Sequence, residues 1–291
     1  MKLILIISLI LSGITQYSPQ VIAQTKQPSD NKKPAQPTRR NTSRRKPAST
    51  RRSTSRPVFV PPRTPNGLTS ISGRRAGMGS RGNCPTVTNP LTALVPFQEE
   101  NNLRKNTTKS FIGRVKGLTT SEKPRFLFYV PYTQNLENSN AEFSLQDSEG
   151  TDVYRKEISL PQQPGVISIS LPNTVESLKP ERSYRWYFKV RCKQERGNLP
   201  IYVEGDIQRI SLNSRLKQEL KAAVEPRQKI AVYAKEGIWF DALNMLAQIR
   251  QSPVQDASLK ASLKEDWQSL LDSVDLNNIA TAPLLNSGQI K

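Results

Sequence analysis

The chain has 291 residues and two cysteines, carries 43 Lys and Arg against 24 Asp and Glu, and contains no histidine. The absence of histidine excludes histidine-based triads, histidine acid–base catalysis and histidine metal ligands, and two cysteines cannot form a four-cysteine zinc site. The net charge of +19 is uneven, because Gln24–Arg63 holds twelve basic residues and one acid. The rest of the chain is therefore only mildly basic.

Residues 1–23 have the pattern of a signal peptide. Lys2 supplies the positive start, Leu3–Leu11 the apolar run, and Val21–Ala23 a small-residue cleavage site. The run is shorter than the roughly 20 apolar residues that a lasting membrane anchor needs. No cysteine follows Gly13, so no lipid anchor is expected. We expect an exported protein, in the periplasm or outside the cell, with no stable membrane span.

Residues 24–72 predict a basic, disordered arm rich in Pro, Ser and Thr. Its one apolar cluster up to Arg63 is Val58–Val60, which is too little apolar surface to offset the entropy of ordering. The arm is either a solvated spacer or an electrostatic attachment to anionic envelope polymers. After export, we do not expect nucleic acid as a partner.

A glycine-rich stretch follows the arm. Gly77, Gly79 and Gly82 have the spacing of a dinucleotide fingerprint, but that motif needs a strand before it and a helix within it. The preceding residues are loop-like, and Asn83–Pro85 stops a helix, so we interpret the stretch as a surface loop. Its basic residues are candidates for a small anion-binding nest, namely Arg74, Arg75 and Arg81.

Residues 73–211 predict an antiparallel β-sandwich of the immunoglobulin or fibronectin type. About eight strand patterns follow one another at short spacing between Leu91 and Ile207, with no helical pattern between them. Asp147–Gly150 reads as a tight hairpin turn with glycine where positive φ is needed. Gly205, inside the last strand, marks a bulge or a point of close packing.

The most strongly patterned strand lies within Leu178–Lys193. One face carries Tyr184, Trp186, Phe188, Val190 and Cys192, because side chains alternate across a strand. The spacing of Leu178, Pro180 and Tyr184 resembles a tyrosine corner, in which a Tyr hydroxyl bonds back to the upstream backbone. The other face carries Arg185, Lys189 and Arg191, and this basic stripe is either a solvated sheet face or an anion-binding surface.

The two cysteines are the redox candidates. Cys84 precedes the first main strand and Cys192 ends the patterned strand, so a bridge would tie the domain's start to its centre. We expect a structural disulfide, which export favours; two buried thiols and a reactive thiol are the alternatives.

After Ser211 the period becomes helical, and residues 212–274 predict a helical hairpin or small bundle. Asn213 is a good N-cap, Pro226 suits the first turn of a second helix, and Gly237 ends it. Trp239 begins the apolar stripe of a third helix. Ser252–Gln255 predicts a capping box that opens a fourth. Residues 275–291 are expected to form a flexible tail. The fold class is therefore mostly β with a C-terminal α part.

Five stretches, in order along the chain, resemble the family known as domain of unknown function 928: Ser80–Pro85, Leu91–Pro96, Phe128–Tyr132, Tyr184–Phe188 and Gly237–Leu243. The resemblance covers about Arg74–Gln251. It implies a domain of that extent in exported, mainly cyanobacterial proteins, and it implies no activity.

The spacing of six helical residues also resembles a single tetratricopeptide repeat: Tyr233, Gly237, Trp239, Ala242, Leu243 and Leu246. Tyr233, Trp239 and Asp241 are therefore candidates for a partner-binding helical pair. The alternative is an ordinary helical hairpin packed on the sandwich. Asp241 lies near a helix start, where it complements the helix dipole more readily than it serves in catalysis.

These patterns predict an exported, non-enzymatic binding or scaffold module of the cell envelope, which its basic arm holds near an anionic polymer. The alternative is a protein–protein adaptor that binds an envelope protein through the sandwich edge or the helical pair, with the arm as a spacer. An enzyme of unusual chemistry is the third hypothesis. No catalytic residue, metal or cofactor is expected.

Overall fold

The computed structural model describes residues 56–62, 72–77, 84–99, 112–193, 199–253 and 256–286. Several predictions lie outside these ranges. They are the signal peptide, most of the arm, and the glycine-rich loop with Arg81.

In the described ranges, ten strands form two sheets packed face to face. The strands are β1 (Gly73–Arg74), β2 (Thr92–Ala93), β3 (Phe97–Glu99), β4 (Ile112–Thr119), β5 (Arg125–Val130), β6 (Asn140–Gln146), β7 (Asp152–Ile158), β8 (Gly165–Ser170), β9 (Ser183–Arg191) and β10 (Ile201–Arg209). The larger sheet has the order β3-β4-β1-β10-β9-β6-β7, and the smaller has β2-β5-β8. This confirms the predicted sandwich.

Aromatic side chains fill the space between the sheets. Trp186 and Phe188 of β9 are fully buried, and Phe188 stacks on Phe128 of β5 with 4.6 Å between ring centroids. Phe126 of β5 packs against Phe143 of β6 at 4.9 Å. The packed face predicted for β9 is therefore the centre of the core.

Two local predictions within the sandwich are confirmed. The backbone N–H of Lys179 donates to the hydroxyl of Tyr184 at 2.9 Å, which makes the tyrosine corner. The hairpin between β6 and β7 turns at Gly150 with φ of 83°, in the region that favours glycine.

Gly205 is a point of close packing. A Cβ at this position would lie 2.6 Å from both Trp186 and Val115, so only glycine lets β10 approach these side chains.

One strand pair departs from the antiparallel prediction. Lys116–Thr119 of β4 runs parallel to Asp206–Arg209 of β10. The short strand β1 separates β4 from β10 at the start of β4, but β1 ends after two residues. Beyond it, β4 and β10 are adjacent and pair directly.

Between Ile210 and Asn286, the described residues form four helices: α1 (Ser214–Ala222), α2 (Pro226–Lys235), α3 (Trp239–Gln251) and α4 (Ala257–Asp272), with a short 3-10 helix at Asn277–Ile279. Asn213 caps α1, and Pro226 is the first residue of α2, as predicted. The predicted capping box at Ser252 is wrong. Asp256 caps α4 by accepting from the N–H groups of Ser258 and Leu259, whereas Ser252 ends α3.

Helices α2, α3 and α4 share one hydrophobic core with the sandwich. The ring of Phe240 packs against the backbone of Gly117 in β4, where a Cβ would come within 2.6 Å of it. Trp239 is fully buried and donates its indole N–H to the carbonyl of Leu94 at 2.7 Å. Within the described ranges, no helix has the length and apolarity needed to cross a membrane.

Arg56–Pro62, which we call the strap, lies in the predicted arm but packs on the helices. Phe59 is buried against Trp239, and the N–H of Val60 donates to the carbonyl of Ala234 at 3.0 Å. Ser273 accepts from the N–H of Phe59 at 3.0 Å. The prediction of disorder is therefore wrong for the strap, because one buried aromatic and these backbone bonds order it.

The prediction of a flexible tail is wrong for residues 275–286. Leu276, Ile279 and Leu285 are buried. The N–H of Leu285 donates to the carbonyl of Val166, and the N–H of Val166 donates to the carbonyl of Pro283, at 2.9 and 2.8 Å. The tail therefore continues the smaller sheet beside β8.

Cys84 and Cys192 form a disulfide with 5.1 Å between their Cα atoms. This confirms the predicted bridge. It ties the segment before β2 to the end of β9 and closes a loop with a sequence separation of 108.

Candidate functional site

The strongest candidate site is a groove of about 290 Å³ beside β4, which we call the edge groove. One wall is the edge of β4 and the residues around β3. The other is the strap, Gly237 at the end of α2, and Ser273–Asp275 after α4. Residues of β4, the strap and the segments beside them line the groove, among them Phe59, Phe97, Arg114, Lys116, Leu118 and Val274. Gln208 of β10, Ile210 just after it and the carboxylate residue Asp275 also belong to the lining.

Backbone groups of β4 face this groove. The N–H of Ile210 donates to the carbonyl of Thr119, so Thr119 points its backbone toward β10. Since neighbouring residues of a strand point their backbone groups to opposite edges, Leu118 and Lys116 point theirs away from β10.

The ladder on that opposite edge is short. β3 pairs with β4 only from Gly113 to Val115, where Phe97 meets Val115. The residue before Phe97 is Pro96, which has no N–H to extend the ladder. Among the strands that the structure describes, none pairs with β4 on this side beyond Val115. Within the described residues, this half of the edge of β4 is therefore open beside the groove.

The other long edges are protected. Pro283–Leu285 covers β8, and Asn244 donates to the carbonyl of Arg125 on the edge of β5 at 3.0 Å. The outer strand β7 carries Asp152, Arg155, Lys156 and Glu157, and charges of this kind discourage pairing. The edge groove thus joins an unprotected strand edge to an apolar wall.

The groove is apolar inside and positive at one rim. Phe59, Phe97 and Val274 supply the apolar surface, while Arg114 and Lys116 of β4 share one face of the strand. No ion pair within the described part of the chain involves either of these two cations. This charge distribution suits a partner that is partly apolar and partly acidic.

Arg75 supports the groove from below. Its guanidinium lies over the ring of Phe97, 5.0 Å from the centroid, and donates to the carbonyl of Val274 at 2.6 Å. Burial lowers the pKa of Arg75, and the nearby charge of Asp275 opposes that shift. Arg75 therefore joins the two walls and is not an open anion site.

Arg74 and Arg75 do not converge on one nest. Arg74 lies over the ring of Tyr202, 4.7 Å from its centroid, whereas Arg75 contacts Phe97. Arg81 lies outside the described residues, so the nest as a whole stays a prediction.

The basic stripe of β9 is largely neutralised by acids of neighbouring strands. Arg185 pairs with Glu204 at 2.8 Å and Asp206 at 3.4 Å, and also donates to the carbonyl of Ser72. Lys189 lies 3.7 Å from Glu142, whereas Arg191 is exposed. Because Glu204 and Asp206 already compensate the charge of Arg185, we do not propose Arg185 as an anion-binding residue.

The pKa values of this cluster follow from its burial. Burial raises the pKa of Asp206 despite the opposing charge of Arg185. Burial alone would lower the pKa of Arg185, but the hydrogen bond to Glu204 and the acidic charges outweigh it and raise the pKa.

The predicted helical pair is mostly internal. Trp239 belongs to the core and has no surface to offer a partner. Asp241 accepts from the N–H of Thr120 at 3.0 Å and from the hydroxyls of Thr119 and Thr120. Burial raises the pKa of Asp241, and the hydrogen bonds from the two threonines counter part of the rise. Asp241 thus fastens the end of β4 to α3.

A smaller pocket of about 190 Å³ lies beside Asp241 and Tyr233. Lys123 and Arg125 are the cations in its lining, and Lys123 donates to the carbonyls of Pro172, Asn173 and Val175. Those three bonds hold the ammonium group in a structural role. Among the described residues, no group of three or more acidic or cysteine side chains could hold a metal ion.

Sequence reasoning named the sandwich edge only in general terms and missed the residues of the edge groove. Two signals were available. Val58–Val60 is the one apolar cluster of the predicted arm up to Arg63, and Pro96 is placed to stop a strand ladder. Neither signal identifies its partner across the fold.

Three comparisons with known proteins bear on this chain. A family model described as Domain of Unknown Function (DUF928) matches residues 76–284, more than two thirds of the chain. No curated protein matches it. It is similar to two crystal structures of Parabacteroides merdae β-glucuronidase, one with glycerol in its active site, at 10% identity in each case. These matches cover 58% and 56% of this chain and 27% and 26% of the glucuronidase chains, with TM-scores of 0.23 and 0.22. The chain therefore spans about a quarter of their length, and this likeness carries no argument.

Proposed function

Because this chain belongs to the family Domain of Unknown Function (DUF928), whose description assigns no activity, we propose its function from the edge groove. The protein is a non-enzymatic adaptor of the cell envelope that binds a partner protein in this groove. The observation that carries the proposal is the open edge of β4 beside an apolar wall.

Two features outside the edge groove support export of the protein. The disulfide between Cys84 and Cys192 is of a kind that persists in oxidising compartments outside the cytoplasm. The sequence of residues 1–23 has the pattern of a signal peptide. An envelope location gives the adaptor its partners.

Electrostatic attachment is the second candidate function, and the charge of the arm favours it. Gln24–Arg63 holds twelve basic residues against one acid. Such a segment attracts anionic envelope polymers, and added salt screens that attraction. In this proposal the arm concentrates the protein at the envelope, and the groove selects the partner.

The test is sedimentation of the full chain with isolated cell envelopes across a salt series. Leu118→Asp places a charge in the groove, and Leu199→Asp, at a side chain that is 62% exposed and outside the groove, is its matched control. We expect Leu118→Asp to weaken sedimentation at least tenfold in high salt and Leu199→Asp to leave it unchanged. Deletion of residues 24–55 weakens it in low salt only.

Envelopes stripped of protein by protease supply the contrary test. If they retain the chain as well as untreated envelopes do, or if Leu118→Asp sediments like the unaltered chain, the adaptor function is wrong. Circular dichroism of each variant checks that its fold is intact.

A further inference from the structure

We infer that the partner binds as an added β-strand along the open edge of β4, as an extended peptide that alternates acidic and apolar residues. This inference rests on the proposed binding function of the edge groove and specifies the form in which the partner enters it.

The second half of β4 has the backbone geometry of an edge strand that can pair with an added strand. Lys116 and Leu118 are two residues apart, and both point their backbone groups away from β10, to the side of β4 where Pro96 and Phe97 line the groove. Along a strand edge, every second residue presents its N–H and C=O outward. An added strand forms its main-chain hydrogen bonds with these groups. The N–H of Leu118 is the donor farthest along this edge before β4 ends at Thr119.

Pro96 explains why this edge is left to a partner. A β-ladder needs N–H groups from both strands, and proline supplies none. The neighbouring strand β3 therefore ends its pairing at Val115, and no other described strand pairs with the second half of β4 on that side. The apolar groove begins at this point.

The side chains around the edge define the peptide sequence. On one face, Lys116 lies in the half of β4 beyond β3, so an added strand would place an acidic residue beside it. Arg114 is the next residue on that face and pairs with Gln98 of β3, so its long side chain would meet the end of the added strand. Asp206 lies near Lys116 and offsets part of its charge. On the other face, the groove offers Phe59, Phe97 and Val274 to apolar residues.

Protection of the other edges makes the choice of β4 specific. A peptide cannot add to β8 without displacing Pro283–Leu285, and β7 presents charges of both signs. In the described part of the fold, only β4 combines an edge without a partner strand, an adjoining apolar groove and positively charged residues at the rim of that groove.

The probe is a blocked seven-residue peptide, Glu-Val-Glu-Val-Glu-Val-Glu, titrated into the full chain by calorimetry. Its matched controls are the same peptide with Lys in place of Glu and the same peptide with alternate amides N-methylated. We expect the acidic peptide to bind at least tenfold more tightly than the basic one. We expect N-methylation in one of the two registers to abolish binding, because it removes the donors that face β4.

Two observations on the protein complete the test. Leu118→Pro removes the exposed N–H at a strand edge that tolerates proline, while Leu118→Val keeps it. Binding is expected to be lost in the first variant and retained in the second. In the unaltered chain, amide hydrogen exchange of Leu118 slows at least tenfold when the acidic peptide is bound.

The inference is overturned if both N-methylated registers bind like the parent peptide, or if exchange of the Leu118 amide is unchanged at saturation. These measurements use the unaltered chain, so they hold even if Leu118→Pro fails to fold. Protection of Leu118 at high protein concentration without peptide would identify a second copy as the occupant and also overturn it. If Leu118→Asp blocks envelope binding while no peptide binds, strand addition is wrong but the groove keeps its proposed function.

Discussion

The ring of Phe59 meets the ring of Trp239 edge-on, with 5.2 Å between their centroids. This contact joins a segment before the sandwich to a helix after it, and both rings are buried. Aromatic pairs of this geometry add to the free energy of burial.

Phe59→Ala removes this contact and leaves a cavity beside Trp239. We expect the free energy of unfolding in urea to fall by about 3 kcal/mol, the lower end for such a change, because the strap can move to relieve the void. Val58→Ala is the matched control, since Val58 is 54% exposed and adjacent in sequence. Equal stability of the two variants would mean that the strap does not contribute to the fold.

Tyr184→Phe tests the tyrosine corner. The change keeps the ring and removes the hydroxyl that accepts from the N–H of Lys179. We expect a loss of about 1 kcal/mol in the free energy of unfolding, as for one hydrogen bond. Tyr202→Phe is the control, because no hydroxyl partner of Tyr202 lies among the described residues. A Tyr184→Phe variant as stable as the control would show that the corner is only a geometric coincidence.

Asp241→Asn tests the buried carboxyl at the end of β4. Burial raises its pKa above the ordinary value of 3.8, so the folded chain binds more protons at this site than the unfolded chain between the two values. The contribution of Asp241 to stability therefore falls as pH rises from 3.8 through the raised pKa, and it is lowest above that pKa.

The measurement is urea unfolding of both proteins across this pH range. The stability of the wild type relative to Asp241→Asn is expected to decrease with rising pH and then level off. Asp272→Asn, at an exposed position, controls for the loss of one negative charge. If the stability of the wild type relative to Asp241→Asn instead increased with pH, the pKa of Asp241 would be lowered in the folded chain, which contradicts a pKa raised by burial.

Replacing Cys84 and Cys192 by serine opens the long loop between them. In the chain-entropy account, a bridge over a loop of this length contributes about 4–5 kcal/mol. We expect a large drop in the urea midpoint of the double variant, and an equal drop when reductant is added to the wild type. Reductant is expected to have no effect on the double variant, which has no cysteine left. A loss of stability there would show that the reductant acts by a route other than the disulfide.

Much of the sandwich could be predicted because its signals are local. Alternation along Tyr184–Val190 identifies a half-buried strand by itself, and the spacing of Pro180 and Tyr184 fits one known corner. The turn at Gly150 and the cap at Asn213 each depend on a few neighbouring residues. Such patterns need no knowledge of distant partners.

The errors arose where the partner is far away in sequence. Phe59 and Ser273 are 214 residues apart, and the strap looked disordered because it carries a single apolar cluster. Leu285 is ordered by Val166, which no pattern within the tail reveals. The capping box at Ser252 failed for another reason, since Asp256 four residues later satisfies the same local requirement.

The candidate site was the least predictable part. The edge groove depends on the register in which Phe97 pairs with Val115 and not with another residue of β4. The sequence of either strand alone does not determine this register. Helical spacing likewise grouped Trp239 with Tyr233, but spacing does not say which side of a helix meets the core. The apolar character of Trp239 was visible and its burial was not.

The strap also determines how the molecule responds to tension. A pull on the chain at Arg56 first reaches an ion pair with Glu265 and the bonds to Ser269, Ser273 and Ala234, all of which lie on or beside helices. The strands of the sandwich follow the strap along the chain, and the disulfide between Cys84 and Cys192 ties the segment before β2 to the end of β9. Under load we therefore expect the strap to detach before any sheet unfolds. Because the strap is one wall of the edge groove, its detachment would also release the partner that we propose for the groove.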